Sequence, residues 1–189
     1  TPLGYLGAFL TNAVHRKAMG AWLERVVFSG PDAAQPGRAC AALPFGTSDY
    51  RTRQVPLTPA NFLQALHASC SIPFVLQAVQ HIAGAPPGAY WDGGITDYHL
   101  HLAYHATTSI AVSAGAVCAR GGFHGEPPRP HGGIVLYPHF ADRIIPGWFD
   151  KGLPWRRGDA DRLQDVLLLA PSREYLARLP HSKLPDRND

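Results

Sequence analysis

Along the first third of the chain the apolar positions Leu6, Leu10, Val14, Trp22, Leu23 and Val26 recur near helical spacing, with His15, Arg16 and Lys17 on the polar side. This pattern predicts an amphipathic helix over 6–28, interrupted at Gly20 and closed by Gly30-Pro31. A polar loop follows to Arg38, and 40–45 reads as a short buried strand before the turn at Gly46. Thr58 as a cap, Pro59 at the first helical position and the run 61–70 predict a second helix, with Phe62, Leu66 and Ser69 or Cys70 on one side; Pro73 ends it. After the turn at 84–88, Ala89 to Trp91 predicts a short strand running into Asp92-Gly93-Gly94. Ile134 to Tyr137 and Val166 to Leu169 are unbroken apolar runs, as expected of strands buried on both faces of a parallel sheet. Ser172 is placed to cap a last short helix through Leu179, and 106–133, rich in small residues, glycine and proline, reads as a loop insertion. Strands alternating with helices predict an α/β fold with a mostly parallel central sheet.

Composition narrows the class of protein. Apolar residues make up 46% and charged residues 16% of 189, the balance of one folded domain with a core, not of a disordered chain. Glycine (19) and proline (18) together are about a fifth of the chain, so many loops are expected. A net charge of +3 permits attraction to anionic head groups and falls short of a nucleic-acid footprint. No apolar run is long enough to span a bilayer. Cys40, Cys70 and Cys118 are far apart with no C-x-x-C pair, and are read as reduced core thiols, which favours a cytoplasmic location.

The chemistry concentrates between Ala65 and Leu100. A helix ends in Ala65-x-x-Ala68-Ser69-x-Ser71-Ile72-Pro73, and about two dozen residues after Ala68 an aromatic residue precedes Asp92-Gly93-Gly94. Asp-Gly on its own is a common turn signal. The two elements together resemble the patatin-like phospholipases. The resemblance implies a three-layer α/β/α fold and a lipid acyl hydrolase that uses a Ser-Asp dyad on an ester substrate. Asp92 would be the catalytic aspartate, and Gly93 and Gly94 the active-site turn. It implies no metal and no other cofactor. A carboxylate is a weak base toward a hydroxyl, so it has to be held close and partly desolvated, and paired glycines would let the backbone turn without blocking the substrate.

The other half of such a dyad is not in the sequence. No Gly-x-Ser-x-Gly occurs; Gly46-Thr47-Ser48-Asp49-Tyr50 comes nearest and lacks the closing glycine of a nucleophile elbow. The chain opens at Thr1 and its one methionine is Met19, so the expectation is the C-terminal portion of a single patatin-like domain, with the serine upstream. A non-catalytic module that binds lipid or a partner is the alternative. A metal-dependent enzyme is a third, resting on His99, His101 and His105 beside Asp97, although His-x-His and His-x-x-x-His spacings suit different secondary structures. Trp148, Phe149, Lys151, Trp155, Arg156 and Arg157 interleave aromatic and basic groups, as a peripheral membrane contact would; the alternative is aromatic groups folded inward behind a basic rim. Arg51 and Arg53 would meet either a phosphate head group or surface acids.

Overall fold

The computed structural model describes residues 2–32, 37–104 and 134–186, and the expected insertion at 106–133 lies outside them. It shows a mixed α/β chain with two parallel strand pairs. The elements are α1 (Pro2–Val14), β1 (Arg25–Ser29), β2 (Thr52–Pro56), α2 (Phe62–Ser69), β3 (Val79–Gln80), β4 (Ala89–Tyr90), α3 (Gly94–Asp97), β5 (Val135–Pro138), β6 (Val166–Leu169) and α4 (Arg173–Leu176). Short 3-10 turns at Arg16–Ala21 and Trp148–Gly152 carry polar residues toward the centre.

The long first helix is corrected by the structure. It stops at Val14, and 25–29 (RVVFS) form a strand parallel to β2, with Val27 opposite Gln54. Leu23 and Val26 match helical spacing, but two adjacent β-branched residues and a phenylalanine fit a pleated strand better. The strand expected at 40–45 does not form, and next to it only an isolated bridge joins Gly46 to Ala103. The later strands appear where expected: β5 and β6 pair in parallel, with Leu136 opposite Leu167. They are not covered on both faces, for Leu136 and Leu167 are 58% and 51% exposed. Ser172 Oγ accepts the Tyr175 N–H and starts α4, as the sequence predicts.

The core joins elements from opposite ends of the chain. Tyr5 and Ala8 of α1 pack with Met19, Tyr50, Ile95 and Phe149, and Trp91 and Trp148 lean against this cluster. Gly7 leaves room for the half-exposed Trp22 ring against α1, since a Cβ there would stand 2.5 Å from it. On helix α2, Phe62, Leu66 and Ser69 share one side as the spacing predicts, and that side lines a groove: Phe62 and Leu66 are exposed there while Ala65 and Ala68 are buried. Small side chains let the helix approach its support, which leaves the large ones to line a groove.

Cys70 is a free, exposed thiol, and Cys40 is disulfide-bonded. The expectation of three reduced thiols is thus corrected at Cys40, and the argument from thiol state to a cytoplasmic location goes with it. No helix among the described residues is long and apolar enough to cross a membrane.

Candidate functional site

Local hydrogen bonds bring the two motif elements together. Ser71 is completely buried after α2, its Oγ donating to the His67 carbonyl at 2.9 Å. Its own carbonyl accepts the Asp92 N–H at 3.0 Å, so the end of the helix and the start of Asp92-Gly93-Gly94 are fixed to each other across 21 residues. Pro73 is also fully buried and ends the helix without needing a donor.

Asp92 is half-buried, and its Oδ1 accepts the Gly94 N–H at 2.6 Å. Its carbonyl accepts from Ile95, so the aspartate opens α3 with both side chain and backbone. No described residue bonds Oδ2. Gly93 has an ordinary right-handed helical backbone and neither glycine has a positive φ, so the turn does not draw on the left-handed freedom of glycine. What Gly94 supplies is space. A Cβ at Gly94 would stand 2.9 Å from Asp92 Oδ1, whereas one at Gly93 would meet nothing within 4 Å.

Asp92 lies on the wall of a groove of about 1050 Å³ whose other walls include Phe28, Phe62, Leu66, Ile72 and Trp91. Glu24 and Asp97 also line this largely apolar groove, but Asp97 is paired with Arg25 and Glu24 with Arg53, so Asp92 is the carboxylate of the three with no arginine on it among the described residues. Such a groove suits a substrate that is mostly hydrocarbon with a single reacting polar centre. Ser69 also lines the groove, yet no hydrogen bond joins it to Asp92. The Gly46–Tyr50 stretch does not approach Asp92 in hydrogen bonding either; its Asp49 is buried and serves a different partner.

That partner belongs to a set of buried ion pairs which pattern reading does not anticipate. Arg25, at the start of β1, uses one guanidinium for two carboxylates. Its NH1 and NH2 donate to Asp49 at 2.8 and 2.9 Å, and its Nε and NH2 donate to Asp97 at 2.8 Å each. Arg162 adds a bond to Asp49 at 3.0 Å, balancing two acids with two bases. Burial works against the Asp49 charge, but the hydrogen bonds and charge of Arg25, aided by Arg162, hold its carboxyl below the usual range. A second hub is Asp150, which pairs with Arg16 and accepts Asn12 Nδ2 at 2.8 Å and the Gly147 N–H at 2.9 Å. The sequence signal for either hub is slight: Arg25 stands beside Glu24 just before Val26-Val27-Phe28, and Asp150 beside Lys151 just after Trp148-Phe149.

The two described histidines of the cluster, His99 and His101, serve different backbone partners. His99 Nδ1 accepts the Ile145 N–H at 3.0 Å, and His101 Nε2 accepts the Asp159 N–H at 2.7 Å; His105 lies outside the described residues. Among the described residues no group of three metal-ligating side chains occurs. Because Nδ1 of His99 accepts, the neutral ring carries its proton on Nε2. Burial, reinforced by the neighbouring His139, pushes His99 down to about 4 from 6.5. His101 is lowered too, first by burial. Both groups bind protons more tightly in the unfolded chain, so their contribution is fully present above about 6.5 and is lost as pH falls toward 4. The urea midpoint is therefore expected to drop across that window and to drop less in His99→Gln. A midpoint that stays level from pH 7 to 4 would contradict this.

At the expected interfacial stretch Phe149 is buried and Trp148 packs on the core, while Trp155 is 68% exposed. Lys151 is exposed, its Nζ 4.2 Å above the Tyr98 ring at one end of the groove. Arg53 and Arg51 both lie against Glu24, at 3.2 and 3.9 Å.

Compared with known proteins, the chain matches no family model, no curated protein and no solved structure.

Proposed function

We propose that Asp92 is the general base of a patatin-like lipid acyl hydrolase, a serine-type carboxylic ester hydrolase whose nucleophile lies outside these 189 residues. The observation that carries the reading is the half-buried Asp92 carboxylate on the wall of an apolar groove, one oxygen tied to Gly94 and the other unbonded by any described residue. In this reading a serine Oγ attacks the ester carbonyl while its proton passes to Asp92 Oδ2. The alcohol departs with that proton, and water, deprotonated by the same carboxylate, then hydrolyses the acyl-enzyme. The groove takes the acyl chain, and exposed Trp155 and Lys151 make peripheral contact with a lipid surface. The fold belonging to this function is a three-layer α/β/α domain, in which β1–β2 and β5–β6 are parts of one parallel sheet. Leu136 and Leu167, exposed on β5 and β6, are the kind of surface that such a sheet covers with helices.

One observation favours the second reading, a non-catalytic module that binds lipid or a partner: no described hydroxyl is bonded to Asp92. A fluorophosphonate probe applied to the protein purified from its natural source separates the two. Hydrolase function requires one labelled serine, within Gly-x-Ser-x-Gly, on the same polypeptide as Asp92. An unlabelled protein that still binds phospholipid vesicles would hand the groove to the binding module.

A further inference from the structure

We infer that Arg25 and Arg16 are positioning residues that set the carboxylate of Asp92 through α3; this rests on Asp92 being the catalytic base. Helix α3 has four residues, far too few to hold its own shape. Yet Gly94, its first residue, holds Asp92 Oδ1, so the direction of the carboxylate is only as well defined as the helix. What fixes α3 is a set of directional bonds at its far end.

Arg25 grips Asp97 with two parallel bonds of 2.8 Å, a fork geometry that fixes angle as well as distance. Arg16 NH2 donates to the Thr96 carbonyl at 2.8 Å, while its NH1 is held by Asp150. Thr96 Oγ1 lies 2.9 Å from Asp97 Oδ2 and 3.1 Å from the Gly93 carbonyl, which carries the restraint back to the residue beside Asp92. The chain leaving α3 is also fastened, for the Tyr98 N–H donates to Pro146 and the His99 N–H to Ile145.

An apolar contact at Asp97 would bury α3 at lower desolvation cost, since buried ion pairs stabilise little relative to well-packed hydrocarbon. They do specify orientation. The two arms also reach α3 from separate supports: Arg25 from β1, with Asp49 behind it, and Arg16 from the turn after α1, with Asp150 behind it. Two supports that cross at a four-residue helix are what a precisely aimed side chain requires.

The test uses the full polypeptide that carries both Asp92 and the labelled serine, in Arg25→Lys, Arg16→Lys and Asp97→Asn forms, with Asp92→Asn as reference. Lysine keeps the charge and loses the fork. Each positioning variant that folds is expected to label with fluorophosphonate at least about tenfold more slowly, with kcat reduced and KM held. The Gly94 amide resonance, which reports the bond to Asp92, should move in each. Folded variants that label at the wild-type rate beside an inert Asp92→Asn overturn the positioning alone. Unfolding of all three overturns it as well, because the arginines then serve the fold and not the aim of Asp92. Wild-type labelling of Asp92→Asn overturns the assignment of the base and this inference together.

Discussion

Asp150→Ala is expected to destabilise the chain by about 3–5 kcal/mol, the range found when one partner of a buried charge pair is removed. The Asp150 side chain is wholly buried and satisfies groups from three segments: Asn12 at the end of α1, Arg16 in the following turn, and the Gly147 N–H that begins its own turn. Alanine leaves the Arg16 charge, which is mostly buried, with no carboxylate beside it, and leaves the Asn12 amide and the Gly147 N–H without an acceptor. Each uncompensated polar group adds a desolvation penalty. A chain of this size commonly has roughly 5–15 kcal/mol in total, so the loss is at least about a fifth of it and can approach the whole. The corresponding fall in Tm is about 6–20 °C, from roughly 2–4 °C per kcal/mol. Asp150→Asn keeps an acceptor oxygen and the side-chain shape, and should fall between the two. Thermal and urea denaturation of the three forms measure this directly; a loss under about 1 kcal/mol for alanine would mean that water replaces the carboxylate and that the hub is not closed.

The α/β class and the motif around Asp92 were legible in the sequence because both rest on local signals. Val166 to Leu169 is a short, unbroken apolar run, Ser172 precedes a helical turn, and Asp92-Gly93-Gly94 stands a fixed distance after a helix that ends in proline. Strand β1 was lost because its partner β2 reads Thr-Arg-Gln-Val-Pro, too polar to announce a strand, and is separated from it by a long loop. Pattern reading also assigns charge to the surface, so Arg25, Asp49 and Asp150 carried no structural meaning until the chain was folded. Which side of α2 is buried, that of Ala65 and Ala68 or that of Phe62 and Leu66, is likewise not written in the spacing. Periodicity finds the largest apolar stripe, and here that stripe lines a groove.

These departures fall close to Asp92. The exposed apolar side of α2 forms a wall of the groove, the unforeseen strand β1 carries Arg25, and Arg25 and Arg16 hold α3. A folding pattern built only for stability would bury the phenylalanine and leave the arginine in water. Local rules are expected to fail where a site imposes other demands, and here they fail around one carboxylate.

Asp92→Asn is expected to reduce fluorophosphonate labelling and ester hydrolysis by roughly 10²–10⁴-fold, the usual contribution of a general base, while thermal stability stays within about 0.5 kcal/mol. The near-constant stability follows from geometry. Asparagine retains an oxygen at the Oδ1 position, so it still accepts the Gly94 N–H and still opens α3. What it lacks is basicity at the second position, where an amide NH₂ would face the nucleophile and donate where a base must accept. Gly94→Ala offers a complementary case. The carboxylate remains ionisable, but a Cβ 2.9 Å from Oδ1 forces it to move, and a displacement near 1 Å costs roughly 10²-fold in rate. Gly93→Ala meets open space and should leave the position of Asp92 unchanged. If Asp92→Asn and Gly94→Ala both fall steeply while both remain folded, the carboxylate acts by proton transfer from a fixed position. If only Asp92→Asn falls, basicity matters and position does not, and the restraint supplied by α3 loses its purpose. Loss of fold in Asp92→Asn would make the residue a helix cap with no catalytic part.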